Sequence, residues 1–387
     1  MKFEKNIRAP QIYFSPVTKD FLIRDPNITE IIYTDSPGHK YNRDDFENLM
    51  PLLNYRQLVV DNKFPDSLNG EKLEIDKIRL NNIMMRIYPG EIDATLIQLN
   101  PMLESKSGKI RLEMPDDFFR ITKRMEFINC NSNKIEEDKS QLFTTALLEK
   151  QFAFPAKLIG GNPTTKKAFD EGYFVLDSKN QLFHIKMQKG KPFCVNTNIP
   201  SNLDVAYLKI MEMPLREFYG FLLTTSGEAF LISYDRYKLI KLPLEGFNIK
   251  EKTFAFFGDQ FFRTISLIGK CNVRTVVTDR NYNIVKVYEN KWEGNKELSA
   301  GVLAAYLFPF TLSFTDLNSS LSNFYFETSG IHGIILSVLL SVITVLLLKK
   351  RSIKLSDAWF DLVLVLVTGI FGFIAVSFVK NVENNLE

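Results

Sequence analysis

The sequence predicts a mainly β protein: an antiparallel sheet domain with few short helices, followed by a C-terminal two-helix transmembrane hairpin. Three observations predict it. Two uncharged apolar runs, Ile331–Leu348 and Leu362–Val379, lie close together near the end of the 387-residue chain. Apolar segments flanking short polar turns recur through its second half. Many of its 33 phenylalanines fall in β-like stretches such as Phe152–Phe154, Phe254–Phe257 and Phe261–Phe262, which fits aromatic-rich sheet cores.

Taken in order, the first half is mixed. Asn42 is placed to cap a short helix over Arg43–Leu53, with Phe46, Leu49, Met50 and Leu53 on one face. Glu104–Met114 carries Ser105–Gly108 between strand-like flanks, a hairpin candidate. Ser140–Lys150 reads as a helix whose buried stripe is Leu142, Phe143, Ala146 and Leu147, and the prolines from Pro155 to Pro163 end that pattern.

The repeated part follows. FVLDSKNQLFHI (174–185) matches FLLTTSGEAFLI (221–232) and, less closely, TVVTDRNYNIVK (275–286). Each is an apolar strand, a polar turn and a second apolar strand, the pattern of a β-hairpin. Offsets of 47 and 54 residues approach the roughly 40–50 residues of a four-stranded propeller blade. A propeller-like arrangement and another antiparallel architecture both accommodate this. With no low-complexity linker inside it, residues 1–328 form one unit, an option being two lobes that meet near Phe154.

At 1.5 Å rise per residue, each apolar run makes a helix of about 27 Å, close to the ~30 Å hydrocarbon core of a bilayer. The expected organisation is a span at 331–348, a cytoplasmic loop at 349–361, a second span at 362–379 and a tail at 380–387. The loop carries Lys349, Lys350, Arg351 and Lys354, and short loops rich in Lys and Arg stay on the cytoplasmic side. Trp359 and Phe360 fall at the inner boundary, and Phe324, Tyr325 and Phe326 precede the first run, where an aromatic belt is expected. The large domain is then extracytoplasmic.

Export needs a signal or anchor, and MKFEKNIRAPQIYF holds no long apolar run. Either an N-terminal anchor lies upstream of the first residue, or Leu298–Thr315 is a third span that keeps the domain inside. Pro309 and the strand-period alternation of Phe308, Phe310, Leu312 and Phe314 favour the first. On that reading Glu297–Tyr306 is a short helix and Asn323–Glu327 a returning strand.

Motifs for chemistry are sparse. No HExxH, GxSxG, Walker A, GxGxxG or zinc-spaced cluster occurs, so no metal, cofactor or catalytic residue is expected. His39, His184 and His332 are scattered. Cys130, Cys194 and Cys271 form no CxxC pair, leaving one disulfide with a spare thiol, or three free thiols. A net charge of +3 implies no nucleic-acid partner.

The best candidate for a ligand or partner loop is Gly160, Gly161, Asn162, Thr164, Thr165 and Lys166, followed by Lys167, Asp170 and Glu171. Consecutive glycines, hydroxyls and lysines can cradle an anion with backbone N–H groups. The plainer alternative is a surface turn with glycines at positive φ. Asp116-Asp117 and Asp170-Glu171 are the paired acids, and solvated turn carboxylates outweigh acid–base catalysis for both. Asp116 can also pair with Arg120. In the apolar runs, Ser337 with Ser341 and Thr368 with Gly372 offer small faces for helix packing.

KNIRAPQIYFSPVTKDF (5–21), LMPLLNYRQL (49–58), MPDDFFRITKRMEFIN (114–129) and above all FPAKLIGGNPTTKKAFDEGYFVLDSKNQLFHIKM (154–187) resemble one family. It is a family of uncharacterised bacterial membrane proteins, a domain of unknown function often encoded beside ABC-transporter ATPases and permeases. The resemblance implies an N-terminal anchor, an exported domain and a C-terminal membrane hairpin; it supplies no catalytic residues, since none are established for the family. The expected function is a non-catalytic envelope protein of the bacterial inner membrane, an accessory subunit or partner of an ABC-type transport system. The competing class is an envelope enzyme or ligand sensor with a distributed site.

Overall fold

The structure is a computed structural model describing residues 4–5, 7–92, 99–244, 251–292, 296–297, 303, 306–315, 323–328 and 331–378. The chain divides into two compact units, Ala9–Trp292 and Met1–Arg8 with Glu293–Glu387.

The larger unit is mainly β. Its first sheet joins Gln11–Ser15, Asp20–Arg24, Tyr33–Thr34 and Lys40–Tyr41, and its second joins Met125–Asn129, Asp117–Ile121 and Asn100–Pro101. The third runs Leu158–Gly161, Tyr173–Leu176, Leu182–Gln188, Lys191–Asn196, and the fourth Val205–Ile210, Phe218–Thr224, Ala229–Ser233, Leu239–Lys241. The fifth is ordered Ile284–Lys291, Asn272–Thr278, Arg263–Ile268, Thr253–Gly258, Ile83–Ile87. All pairings within these sheets are antiparallel.

Side chains alternate across a strand, so an interior sheet flanked by two others must be apolar on both faces. The third sheet shows this directly. Tyr173 and Val175 pack with Phe119 and Phe127 of the second sheet, while Phe174 and Leu176 pack with Leu208 and Leu222 of the fourth. The fourth sheet turns Phe221 and Leu231 the other way, onto Phe254 and Ile265 of the fifth. Val277 of the fifth in turn meets Phe14 and Phe21 of the first. Each buried phenylalanine contributes on the order of 1.5–3 kcal/mol by leaving water, which explains the phenylalanine count.

The three hairpins expected from sequence form, and their turns share one hydrogen-bond pattern. The N–H of Asp177, Thr224 and Asp279 donates to the carbonyl four residues on, Gln181, Glu228 and Asn283. Their side-chain oxygens accept the N–H of those same residues. The fourth turn position has positive φ in each: Asn180, Gly227 and Tyr282. Asp35 builds a fourth copy in the first sheet, with its N–H on His39 and positive φ at Gly38.

Two helices follow expectation with shifted detail. Arg43–Leu49 starts at an Asn42 capping box completed by Asp45, and buries Phe46. Glu137–Glu149 buries Ser140, Phe143, Thr144 and Leu147, whereas Leu142 is 46% exposed. Hydroxyls enter this face for a reason: Phe127 N–H donates to Ser140 Oγ and Met125 N–H to Thr144 Oγ1, sealing the edge of the second sheet. Among the described residues Glu104–Met114 forms no hairpin. Glu104 bridges to Met187 and accepts the N–H groups of Lys189 and Gly190.

In the smaller unit Phe310–Thr315 pairs antiparallel with Asn323–Thr328, so the stretch around Pro309 supplies a strand. Most of the helix expected over Glu297–Tyr306 lies outside the described residues. Ile331–Lys350 is a 20-residue helix, long and apolar enough to cross a membrane. The second apolar run is two shorter helices, Trp359–Thr368 and Ile370–Phe378, split at Gly369, whose φ is +61°. A Cβ there would come within 3.0 Å of Leu307 O and 3.2 Å of Ser337 Oγ. All three cysteines are free thiols, Cys194 buried and Cys130 and Cys271 exposed.

Candidate functional site

The candidate loop folds differently from an anion cradle. Gly160 and Gly161 end the strand Leu158–Gly161 and have no positive φ. They are small because neighbours leave no room: a Cβ on Gly160 would lie 2.6 Å from Leu208 Cβ, and one on Gly161 2.2 Å from the Tyr173 ring. Lys166 is exposed, and Thr164 and Thr165 are half-buried. Thr164 Oγ1 accepts the Lys166 N–H in a local turn.

Lys167, Asp170 and Glu171 go inward instead. Lys167 Nζ donates to Asn162 O at 2.7 Å, Asp170 Oδ1 at 2.7 Å and Glu212 Oε1 at 2.5 Å. Those three acceptors saturate an ammonium. Glu212, whose side chain is wholly buried, also accepts from Asn162 Nδ2 at 2.7 Å. Asp170 Oδ2 accepts from Ser105 Oγ at 2.7 Å and Gly172 N at 3.1 Å. Lys186 Nζ reaches Glu171 Oε2 at 2.7 Å. Five charged side chains thus tie the 162–172 loop to the segments at Ser105 and Glu212 and to the strand Leu182–Gln188.

Beneath them is an aromatic layer. His184 stacks on Phe174 with ring centroids 4.5 Å apart, and Tyr219 stacks on Tyr234 at 3.8 Å and on Tyr237 at 5.3 Å. His184 Nε2 donates to the Glu171 carbonyl at 2.6 Å, which leaves Nδ1 to accept the Tyr237 hydroxyl at 3.0 Å. Burial pushes the His184 pKa down to about 4. Burial likewise raises the phenols of Tyr219, Tyr234 and Tyr237, with the Glu171 charge adding to all three.

Sequence reasoning found Asp170 and Glu171 but missed Lys186, 15 residues beyond Glu171, and Ser105 and Glu212, which lie far off in the chain. The lone acid of the apolar run Ile210–Met213 was the available signal for Glu212. Asp117 forms its ion pair with Lys139 at 2.6 Å, and Arg120 takes Glu126 at 2.7 Å rather than Asp116. His39 meets Asp35 at 2.9 Å, and His332 stacks on Tyr306 at 4.7 Å. Lys349, Lys350, Arg351 and Lys354 are exposed around the end of the long apolar helix.

A second charged group went unnoticed. Arg263, wholly buried, forks onto Glu217 at 2.6 and 3.2 Å and donates to the carbonyls of Asp259 and Phe262. Tyr282 O–H donates to Glu217 at 2.5 Å, and a cleft of about 590 Å³ opens beside Glu217, Arg280 and Tyr282. Burial raises the Asp259 carboxyl, which accepts the N–H groups of Phe261 and Phe262.

What these arrangements do chemically follows from their saturation. In the Lys167 cluster each nitrogen and most carboxylate oxygens are engaged, so its work is to hold three segments in place.

No curated protein matches the chain. A family model, that of the domain of unknown function DUF4857, matches residues 11–278, and the chain belongs to that family.

Proposed function

We propose that this is a non-catalytic, membrane-anchored envelope protein of bacteria, an accessory subunit or partner of an ABC-type transport system. The observation that carries the non-catalytic reading is the saturation of the Lys167–Asp170–Glu212 cluster, whose charges are spent on one another. The sheet domain has a propeller-like arrangement, supported by the stacking of successive sheets on both faces and by the fourfold turn pattern.

The anchor is a hairpin made of Ile331–Lys350 and the paired shorter helices. Ile335, Leu339, Val342 and Leu346 are exposed along the long helix, while Gly333, Ser337 and Thr344 are buried, which suits lipid outside and helix packing inside. The cations at 349–354 hold the turn in the cytoplasm, and the sheet domain lies on the opposite side of the inner membrane. The transporter partner rests on the family resemblance, and anchoring would raise the domain's concentration near it.

Purification of the full chain in mild detergent after in-cell crosslinking tests this. Permease or ATPase subunits in the crosslinked product support it, and repeated recovery of the chain alone rejects it. Protease added to inverted vesicles should leave the sheet domain intact. The second reading, an envelope enzyme or ligand sensor, is favoured by the polar cleft beside Glu217 and Arg280.

A further inference from the structure

The gap between the first and fifth sheets is filled at one end only. Phe14, Phe21 and Val277 close it there, with Tyr288 against Phe21. Beyond them lies a cleft of about 650 Å³, within the roughly 300–1,000 Å³ usual for small-molecule sites.

Its floor takes in Ala255 and Ser266 from one register row of the fifth sheet. Arg86 lies opposite Ala255, Ala255 opposite Ser266, Ser266 opposite Thr275, and Thr275 opposite Tyr288. The facing side of the same strands carries Phe254, Phe256, Ile265 and Leu267, all buried. Two small residues, Ala255 and Ser266, therefore line the cleft where stacked sheets about 10 Å apart need large ones. The hydroxyls of Ser266 and Thr275 bond each other at 2.9 Å, which satisfies one of the two O–H donors of the pair. Tyr13 and Met50 contribute to the opposite wall.

Two strand spacings separate Arg86 from Ser266, on the order of 10 Å. At the open end Arg86 is exposed and lines the cleft. Its Nη1 sits 3.5 Å from the Tyr88 hydroxyl, and among the described residues no carboxylate forms an ion pair with it. Met84, on the same strand face, is 70% exposed.

We propose that this cleft binds a single-chain anionic amphiphile, its alkyl chain lying in the trough over Ala255 and Ser266 and its acidic head on Arg86. The occupant follows from the two ends: a mostly apolar trough closed by aromatic rings, and at the mouth a cation with no carboxylate partner among the described residues. A fatty-acid carboxylate and a lysophospholipid phosphate share this chemistry.

The test uses the full chain in lipid nanodiscs and a photoreactive diazirine tetradecanoate, with crosslinks mapped by mass spectrometry. The expected result is labelling within 11–15, 83–88 and 253–268, competed by unlabelled tetradecanoate or by lysophosphatidylglycerol; the stronger competitor identifies the source. Ala255→Leu, which fills the trough, should reduce labelling about tenfold. Arg86→Gln, an exposed change that leaves the fold alone, should reduce labelling by the carboxylate about fivefold and leave the matching alcohol probe within about twofold. Labelling confined to 331–378, or insensitive to both substitutions, overturns the proposal. Equal loss of acid and alcohol probes in Arg86→Gln overturns the anionic head.

Discussion

The gap between the third and fourth sheets and the gap between the first and fifth solve one packing problem in opposite ways. Both separate two stacked antiparallel sheets. The first is filled by Phe174, Leu208, Leu222 and Ile232 and closed above by the Lys167 charge cluster. The second is filled at one end and left open at the other, over a row of small residues. A polar closure is demanding, because each buried charge depends on its partners. A void tolerates change, because nothing in it depends on anything else. The comparison predicts a steep stability gradient between two places that look alike in topology.

The largest effect belongs to Glu212. Glu212→Ala leaves Lys167 with one carboxylate, and removing a partner from a buried pair costs on the order of 3–5 kcal/mol. Urea unfolding of the full chain in non-ionic detergent should show that loss, with Glu212→Gln between it and the parent. A cost below about 1 kcal/mol would mean that water reaches the cluster and would dissolve the contrast.

Next comes His184, beneath the same cluster. Its folded pKa lies near 4, below the usual 6.5, because burial disfavours the imidazolium. The unfolded chain therefore binds the proton first as pH falls. Stability from the neutral ring is complete above about pH 6.5 and is lost progressively down to about pH 4, by at most about 3 kcal/mol. Melting temperature followed from pH 7 to 4.5 should fall more steeply in the parent than in His184→Asn. Parallel curves would show that the imidazole does not set the acid limb.

Much of this fold was legible from local pattern. The hairpins at Phe174, Phe221 and Thr275 were readable because strand, turn and strand are contiguous, and Asn42 because a cap speaks to residues beside it. The turn at Asp35 escaped notice because its flanking strands, Tyr33–Thr34 and Lys40–Tyr41, are two residues each, too short for periodicity. Ser140 and Thr144 were passed over because polar residues on a helix read as solvent-facing until a strand edge needs their oxygens. The site was half legible. Gly160 and Gly161 drew attention as glycines do in loops, but contacts with Leu208, far along the chain, and with Tyr173 on the paired strand are what require them. Glu212 joined Lys167 through sheet stacking, which no spacing in the chain encodes, whereas Lys186 meets Glu171 beside the antiparallel pairing of one hairpin.

The open gap can be sharpened by filling it. Ala255 pairs across the sheet with Arg86 and Ser266 and lines the void. Ala255→Leu adds apolar surface to a space already present and disturbs no hydrogen bond, so a gain of roughly 0.5–2 kcal/mol is expected. A loss of roughly 1–3 kcal/mol, the usual result of overpacking, would show that the gap is closed in solution. Thermal melting of the two proteins side by side decides it.

The smallest effect separates adjacent lysines. Lys166 is exposed and Lys167 is buried among three acceptors, although the chain presents them as a pair. Lys166→Ala should change stability by no more than about 0.5 kcal/mol, as surface substitutions do. Lys167→Met should cost several times that, because it strands Asp170 and Glu212 without their cation. If both cost the same, the loop opens often enough to exchange one ammonium for the other, and the polar closure is a mobile cover. If Lys166→Ala leaves stability intact but weakens crosslinking to a transport subunit, the outer face of this loop is where a partner sits.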